Sequence, residues 1–266
     1  MNSPKRLLNK NHIELKFDLA AQSYDDFASV QREMADDLLQ QFDRLNPATD
    51  APIVDLGCGT GELLRKLKSR GQTKLTGVDL SQKMLIAATV GNEALNPVHA
   101  DLESLPCHDQ QFNFAFSNAA IQWCNPQVAA REIYRVLSPG GTALIGTFVP
   151  GTLGQWSDAF DSIGITQRVH SFCKPDSLQA VFAAAQFSNI EVSQSTRRRR
   201  FQSAKEMFRS IQQIGASNAM ESRHQPITRD EYRKLMEHFE SRLKQAGGLD
   251  LDYVCLTLTA TRPDLT

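Results

Sequence analysis

Apolar and polar positions recur along the chain with two periods, which predicts helices and strands in turn. Between residues 17 and 45, apolar residues recur every three or four positions, the spacing of amphipathic helix. Short apolar runs further on predict strands at 52–56, 74–78, 97–100, 112–117 and 142–148. The stretches between these runs predict helices at 61–70, 81–90 and 126–137. Strands separated by helices are typical of a parallel sheet with both faces covered.

The remainder of the chain continues this alternation with longer helices. Its helical patterns lie at 155–162, 176–185, 203–214 and 228–245, and its strand patterns at about 190–196 and 249–261. The last of these, LDLDYVCLTLTAT, alternates in a way that gives one polar side. We therefore expect an α/β fold with a doubly wound, Rossmann-like sheet.

Composition and charge narrow the class of protein. The 266 residues carry 29 Lys and Arg against 30 Asp and Glu, which argues against nucleic acid or membrane as a bulk partner. The longest apolar stretches, such as 142–150, are far shorter than the roughly 20 residues of a spanning helix. Five scattered cysteines without a CxxC motif predict reduced thiols in a cytoplasmic protein and no zinc site.

The stretch VDLGCGTGEL, residues 54–63, places three glycines at the exit of the first strand of the sheet. Such a turn brings backbone N–H groups and a helix N-terminus to the point where doubly wound sheets bind cofactors. The spacing Gly57-x-Gly59-x-Gly61 is shorter than the dinucleotide fingerprint GxGxxG. Asp55, two residues before the first glycine, would repel a pyrophosphate but suits a cation. The turn therefore favours S-adenosyl-L-methionine, which carries a sulfonium and an amino group, over NAD.

Two more acidic residues follow the next two predicted strands. Asp79 ends the second strand, where such folds present a carboxylate to ribose hydroxyls. Asp101 ends the third strand, where it can meet the exocyclic amine of adenine, with Leu102 beside the ring. Each aspartate taken alone could be a helix cap or a turn former. Their joint placement at successive strand ends favours a nucleoside site.

Several motifs resemble those of a known family. VDLGCGTG, GVDLS, ADLESLP, FSNAAIQW and YRVLSPGG are similar to the successive motifs of class I S-adenosylmethionine-dependent methyltransferases, over about residues 50–148. FDLAAQSYDDFASVQ, SNAAIQWCNP, FVPGTLGQ, IQQIGASN and GGLDLDYVCLTLTATRP resemble the malonyl-[acyl-carrier protein] O-methyltransferases of biotin synthesis (the BioC family), over nearly the whole chain.

The resemblance implies a division of the chain. It implies a seven-stranded sheet with an antiparallel last strand, in a core that binds S-adenosyl-L-methionine. The expected parts are an N-terminal helical segment closing over the cofactor (1–48), the core (49–200), a helical lid over the acceptor side (201–248), and the final strand with a tail (249–266).

The resemblance also implies which residues form the site. Tyr24 and Asn118 would position the reacting groups. Gln31, seven residues after Tyr24, would either join it on one helix face or be an ordinary surface residue. The expected cofactor-binding residues are Asp55, Gly57, Cys58, Gly59, Gly61, Asp79, Leu80, Met84, Asp101, Leu102 and Asn118.

On the acceptor side the resemblance implies Gln122, Trp123, Arg168 and His170, although Trp123 could equally belong to the core. The family has an HxNRF-like segment that supplies a basic group, whereas this chain has Ser171 immediately before Phe172. We hypothesise that Arg168 orients an acceptor carboxylate instead, with His170 and Lys174 as alternatives. No general base is expected, because a carboxylate is already ionised at neutral pH. No metal is expected either.

The stretch TRRRRF contains four consecutive arginines, Arg197, Arg198, Arg199 and Arg200, here called the arginine run. The run is either a charged strand edge that discourages sheet pairing or a docking site for an acidic acyl carrier protein.

Three other functions stay open at this level. The same cofactor could serve another small-molecule or protein acceptor, or a related reaction, and Ser171 keeps that reading open. A non-catalytic binding module is disfavoured by the intact motifs, and a nicotinamide-dependent oxidoreductase by the glycine spacing.

Overall fold

A seven-stranded sheet forms the centre of the fold, which a computed structural model describes over residues 9–92, 95–164, 171–213 and 228–264. Its strands are β1 (Ile53–Leu56), β2 (Leu75–Asp79), β3 (Leu95–His99), β4 (Phe112–Asn118), β5 (Leu137–Phe148), β6 (Ser188–Phe201) and β7 (Leu249–Thr261). They are ordered β3-β2-β1-β4-β5-β7-β6. The pairs among β1 to β5 are parallel, and β7 runs antiparallel to both neighbours. The expected doubly wound sheet with an antiparallel last strand is confirmed.

Helices cover both faces of this sheet. The described helices are α1 (Lys10–Ala20), α2 (Tyr24–Phe27), α3 (Ser29–Arg44), α4 (Glu62–Ser69), α5 (Gln82–Thr89), α6 (Pro126–Val136), α7 (Gly154–Ser162), α8 (Pro175–Ala184), α9 (Ala204–Gln213) and α10 (Arg229–Ala246). The amphipathic N-terminal pattern is thus divided into three helices. No helix among the described residues is long and apolar enough to cross a membrane.

Local capping explains where several helices begin. The Ser81 hydroxyl accepts a hydrogen bond from the Met84 backbone N–H at 3.2 Å, as its position before α5 predicts. Asn125 caps α6, which has Pro126 in its first turn. Thr228 and Glu231 form a reciprocal capping box at the start of α10. Side chains close in sequence therefore satisfy backbone N–H groups that have no partner within the helix.

An aromatic cluster anchors the two helices that precede β7. The buried ring of Trp156 in α7 lies 4.4 Å from that of Phe208 in α9 and stacks on that of Phe239 in α10 at 5.5 Å. Rings of this size contribute large buried apolar areas. The described parts of the segment 201–248 therefore pack firmly on α7.

The strand β6 lies at the edge of the sheet and carries the arginine run. It extends to Phe201, beyond the predicted end near residue 196. On one face, Arg197 lies 2.5 Å from Asp37 of α3, and Arg199 lies 2.5 Å from Glu33 of the same helix. These ion pairs join the edge strand to α3.

On the other face, Arg198 forms two hydrogen bonds with Asp252, at 2.7 and 2.9 Å. Arg200 lies 3.3 Å from Asp250. Both aspartates belong to β7 and are the cross-strand neighbours of these arginines. All four arginines thus have acidic partners within the fold, so the charge itself does not require an external partner.

Candidate functional site

Three cavities adjoin at the carboxyl ends of the central strands, and Tyr24 lines all three. The strand-end cavity, of about 650 Å³, is bounded by Asp79, Met84 and Asp101. The glycine-loop cavity, of about 450 Å³, contains Asp55 and the glycine turn. The aromatic cavity, of about 420 Å³, is lined by Phe17, Gln31, Ala119, Gln122, Trp123, Phe148, Thr152, Leu153, Phe172 and Tyr253. This is the position where doubly wound sheets bind ligands.

The three glycines of the turn have separate reasons to lack a side chain. A Cβ on Gly57 would lie 2.2 Å from the Cβ of Ala120, which no packing tolerates. A Cβ on Gly59 would meet nothing within 4 Å, because it would point into open space. Gly61 approaches Ala88 of α5 and lines none of the three cavities. Gly57 and Gly59 therefore shape a cradle, whereas Gly61 serves the packing of α4 against α5.

Asp79 is held rigidly at the edge of this cradle. Its Oδ2 accepts a hydrogen bond from the Gly59 N–H and its Oδ1 accepts one from the Ser81 N–H, both at 2.8 Å. Burial raises the pKa of this carboxyl to about 6, although the two amide bonds act in the opposite direction. Each oxygen keeps a lone pair, as the recognition of two ribose hydroxyls requires.

The far end of the strand-end cavity suits a flat base. Met84 and Leu102 are buried there, and Leu80 and Asp101 complete the wall. Asp101 Oδ1 accepts hydrogen bonds from the ammonium of Lys10 and from the Glu103 N–H, both at 3.0 Å. Sequence reasoning missed Lys10, which lies far from Asp101 along the chain.

Three residues that line the glycine-loop cavity each have a buried side-chain oxygen without a hydrogen-bond partner among the described residues. These oxygens are Asp55 Oδ1, Gln31 Oε1 and Asn118 Oδ1. Burial, and secondarily the charge of Asp79, raises the pKa of Asp55 to about 8. Unpartnered buried acceptors are costly, so the cavity favours a ligand that brings donors and positive charge. The amino group of S-adenosyl-L-methionine fits this set, and the glycine cradle and Asp79 fit its nucleoside.

Residues of α2 and α3 contact the residues that line this site. Asn118 donates from Nδ2 to the Gln31 carbonyl oxygen at 2.8 Å, which ties β4 to α3. The Thr60 hydroxyl beside the glycine turn donates to Asp25 at 2.6 Å. Tyr24 lies between these contacts, and burial raises the pKa of its hydroxyl well above the usual value. The hydroxyl is therefore a permanent donor at neutral pH.

The aromatic cavity brings together the described residues expected on the acceptor side. Gln122 is fixed by hydrogen bonds to the Ala119 carbonyl oxygen at 2.8 Å and to the Thr147 hydroxyl at 3.0 Å. Trp123 is half-buried, and its ring lies 6.2 Å from that of Phe17. Trp123 thus forms a wall between the strand-end and aromatic cavities. Gln31 lines the aromatic and glycine-loop cavities, as a neighbour of Tyr24 and not as a surface residue.

Tyr253 of β7 is a polar residue of this cavity that sequence reasoning missed. Its side chain is buried, and its hydroxyl makes no hydrogen bond with a described residue. Burial raises the pKa of this hydroxyl to about 12, so it remains a donor. The alternation of β7 indicated which residues share a face, but it could not indicate that this face meets the site.

Two expected acceptor residues, Arg168 and His170, lie outside the described residues, and their role stays a prediction. Ser171 is exposed, and the ring of Phe172 lies 6.1 Å from that of Phe148 in the aromatic cavity wall. The described residues of the expected lid, in α9 and α10, line none of the three cavities.

Cys58 lines the glycine-loop cavity, where burial raises the pKa of its thiol well above the usual value. Within the part of the chain that the structure describes, one group of possible metal ligands was found, namely Asp101, Glu103 and Cys124. The ammonium of Lys10 contacts all three side chains, so a cation of the chain itself already occupies their centre.

Comparisons with known proteins agree on the family of the chain. A family profile described as a methyltransferase domain matches residues 54–145. A malonyl-[acyl-carrier protein] O-methyltransferase of Pseudescherichia vulneris is 34% identical over 86% of this chain and 89% of its own length. One of the same name from a Marinomonas species is 30% identical over 96% of this chain and 95% of its own.

Solved structures are similar in fold. The YcgJ protein of a Bacillus species has a TM-score of 0.61 at 17% identity, covering 86% of this chain and 98% of that one. A phosphoethanolamine N-methyltransferase of Haemonchus contortus, in complex with S-adenosyl-L-methionine, has a TM-score of 0.54 at 20% identity. It covers 86% of this chain and 53% of that one.

Proposed function

Because the chain belongs to the class I S-adenosyl-L-methionine-dependent methyltransferases, we propose that it esterifies the free carboxylate of a malonyl group carried as a thioester by acyl carrier protein. The names of relatives that align over most of the chain support this acceptor. The observation that carries the proposal is the aromatic cavity, which meets both cofactor-side cavities at Tyr24.

The cofactor, when bound, supplies a methyl group on a positively charged sulfur, which the acceptor oxygen takes up as a methyl ester while a neutral thioether leaves. Asp79 and Asp101 would hold the nucleoside, and Asp55 and Asn118 the amino acid end. Opposite charges disappear together in this exchange, and no proton is transferred. The reaction therefore needs no general base. Its main requirement is that the acceptor oxygen and the methyl group are aligned.

The cavity walls provide that alignment and limit water. Phe17, Trp123, Phe148 and Phe172 surround the acceptor space with apolar surface. A carboxylate that enters this surrounding loses part of its hydration, which makes its attack on a cationic centre more favourable. The hydroxyls of Tyr24 and Tyr253 are neutral donors that can orient the acceptor without neutralising its charge.

A transfer assay with labelled cofactor tests the proposal. Malonyl-, succinyl- and acetyl-acyl carrier protein differ in the length and presence of the free carboxylate, and malonyl-coenzyme A lacks the carrier. We expect base-labile label on malonyl-acyl carrier protein and none on the acetyl form. Equal labelling of succinyl carrier would contradict the malonyl specificity, and base-stable label on another acceptor would favour a different methyltransferase.

The carrier protein is part of the proposal, and so is a cytoplasmic location, which the five free cysteines support. Docking at the arginine run stays a prediction. The ion pairs of all four arginines within the fold do not support it.

A further inference from the structure

The helix α1 forms one wall of the strand-end cavity, and its attachment to the core has a small apolar part. Ile13 and Ala20 are its buried side chains, whereas Leu15 and Leu19 are exposed. Phe17 is half-buried, and its ring lies 6.4 Å from that of Tyr24 and 6.2 Å from that of Trp123. Polar contacts add to this limited apolar attachment.

Polar contacts hold both ends of α1, and Glu14 between them lies 3.7 Å from His99. Near its C-terminal end, the Ser81 hydroxyl donates to Asp18 at 2.5 Å. At its N-terminal end, the Lys10 ammonium lies 3.0 Å from Asp101 Oδ1 and 2.6 Å from Glu103 Oε1. The second contact differs from the first because Lys10 and Asp101 both line the cavity.

The Lys10 ion pair is partly shielded from solvent. The exposed side-chain fractions are 26% for Lys10, 29% for Asp101 and 23% for Glu103. Without the ammonium, two carboxylates would face each other at close range, which disfavours a single fixed arrangement. Lys10 therefore sets the orientation of Asp101.

The two oxygens of Asp101 are used differently. Oδ1 accepts from the Lys10 ammonium and from the Glu103 N–H, whereas Oδ2 makes no hydrogen bond with a described residue. Asp101 lines the cavity, and its second oxygen can accept one hydrogen bond from a donor group of a ligand. The exocyclic amine of adenine is such a donor.

We propose that Lys10 is a positioning residue for the adenine base. It holds Asp101 so that Oδ2 accepts a hydrogen bond from the exocyclic amine, and the same ion pair keeps α1 over the base. The inference rests on the cofactor and on the role expected for Asp101. It does not involve the methyl acceptor, so its failure and that of the malonyl proposal are distinguishable.

Calorimetric binding of two ligands to the full-length protein tests this role. S-adenosylhomocysteine carries the amine, and S-inosylhomocysteine carries a carbonyl oxygen in its place. The variants are Lys10→Met, Lys10→Arg and the control Lys16→Met, which removes an equal charge from the same helix. Lys16 makes no ion pair with a described residue.

We expect Lys10→Met to weaken binding of S-adenosylhomocysteine about tenfold, the effect of a lost hydrogen bond to a charged group. Its effect on the inosyl ligand should be smaller, so the preference for adenine falls. Lys10→Arg should restore most of the preference, and Lys16→Met should change neither affinity. In an Asp101→Asn background, Lys10→Met should lower the preference little further.

Other outcomes would overturn the proposal. An equal loss of affinity for both ligands would show that Lys10 only attaches α1 to the core. An unchanged preference in Lys10→Met, or a wild type that does not distinguish the ligands, would show that Lys10 does not orient a group that reads the base. Should Lys10→Met fail to fold, Lys10→Gln, which removes the charge but keeps a polar side chain, undergoes the same comparison.

Discussion

Replacement of Asp55 by asparagine should remove a pH dependence of cofactor binding. Burial and the charge of Asp79 raise the pKa of the Asp55 carboxyl to about 8. Most molecules without ligand therefore carry this carboxyl protonated at neutral pH. A cation in the glycine-loop cavity favours the ionised form, so binding of S-adenosyl-L-methionine should release a proton.

The size of the effect follows from linkage. When a carboxyl must ionise on binding, the binding free energy becomes less favourable by about 1.36 kcal/mol for every pH unit below the pKa of that carboxyl. From about pH 6 to about pH 7.5, the affinity of the wild type should therefore rise about 30-fold. Asp79, with a pKa of about 6, contributes little in this range. Asp55→Asn has no proton to release at this position, so its affinity should be nearly constant.

Titration calorimetry in two buffers of different ionisation enthalpy measures both the affinity and the number of protons released. Glu62→Gln is the matched control, because Glu62 lines the same cavity but lies 3.4 Å from Lys66 in an ion pair. This control should keep the slope of the wild type. A flat wild-type curve, or an equal slope in Asp55→Asn, would refute the assignment of the ligand's positive charge to this carboxyl.

The same shift has a consequence for stability. The pKa of Asp55 is higher in the folded chain than its ordinary value of 3.8. Its contribution to stability is therefore fully present below that pH and is lost as the pH rises through about 8. The melting temperature of the ligand-free wild type should fall over this range, and less so in Asp55→Asn. An equal fall in both would contradict the shift.

Four further substitutions test other parts of the site and the arginine run. Gly59→Ala should cost about 1 kcal/mol of unfolding free energy, for a left-handed alanine, yet weaken cofactor binding about tenfold or more because its methyl enters the cradle; unaffected binding by calorimetry would exclude the cradle. Gly57→Ala, whose Cβ would lie 2.2 Å from that of Ala120, should instead lower the melting temperature strongly, and a wild-type melting temperature would contradict this contact. Tyr253→Phe should raise KM for the malonyl acceptor about tenfold, for one lost hydrogen bond, while the affinity for S-adenosylhomocysteine stays constant; unchanged acceptor kinetics would remove Tyr253 from the acceptor site. Arg198→Met should leave KM for the carrier unchanged, and a marked increase would instead support docking at the arginine run.

Local pattern predicted the elements well because each element is formed by neighbours in sequence. Ser81 could be predicted as a helix cap because the N–H that it satisfies lies three residues further on. The end of β6 was predicted too early, since the arginine run has no apolar period. Its strand conformation depends on pairing with β7 and on acidic partners in α3 and β7.

The glycine turn and the acids at strand ends could be read from the chain because parallel strands bring their carboxyl ends to one edge. Asp79 lies on the cavity wall for this reason, and its contact with Gly59 follows from adjacent strands. What Gly61 contacts could not be predicted from the motif. Its spacing matches the motif, but its described neighbour is Ala88 of α5.

Periodicity and caps determined the class of fold, since they depend on residues within one or two turns of each other. The glycine turn and the acids at strand ends predicted the place of the cofactor site and the sign of the charge that it favours. The pairing of Lys10 with Asp101, 91 residues apart, and the position of Tyr253 in the wall of the aromatic cavity required the folded chain. Such contacts form only when helices and strands pack, and side-chain distances across a packed interface leave no periodic trace along the chain.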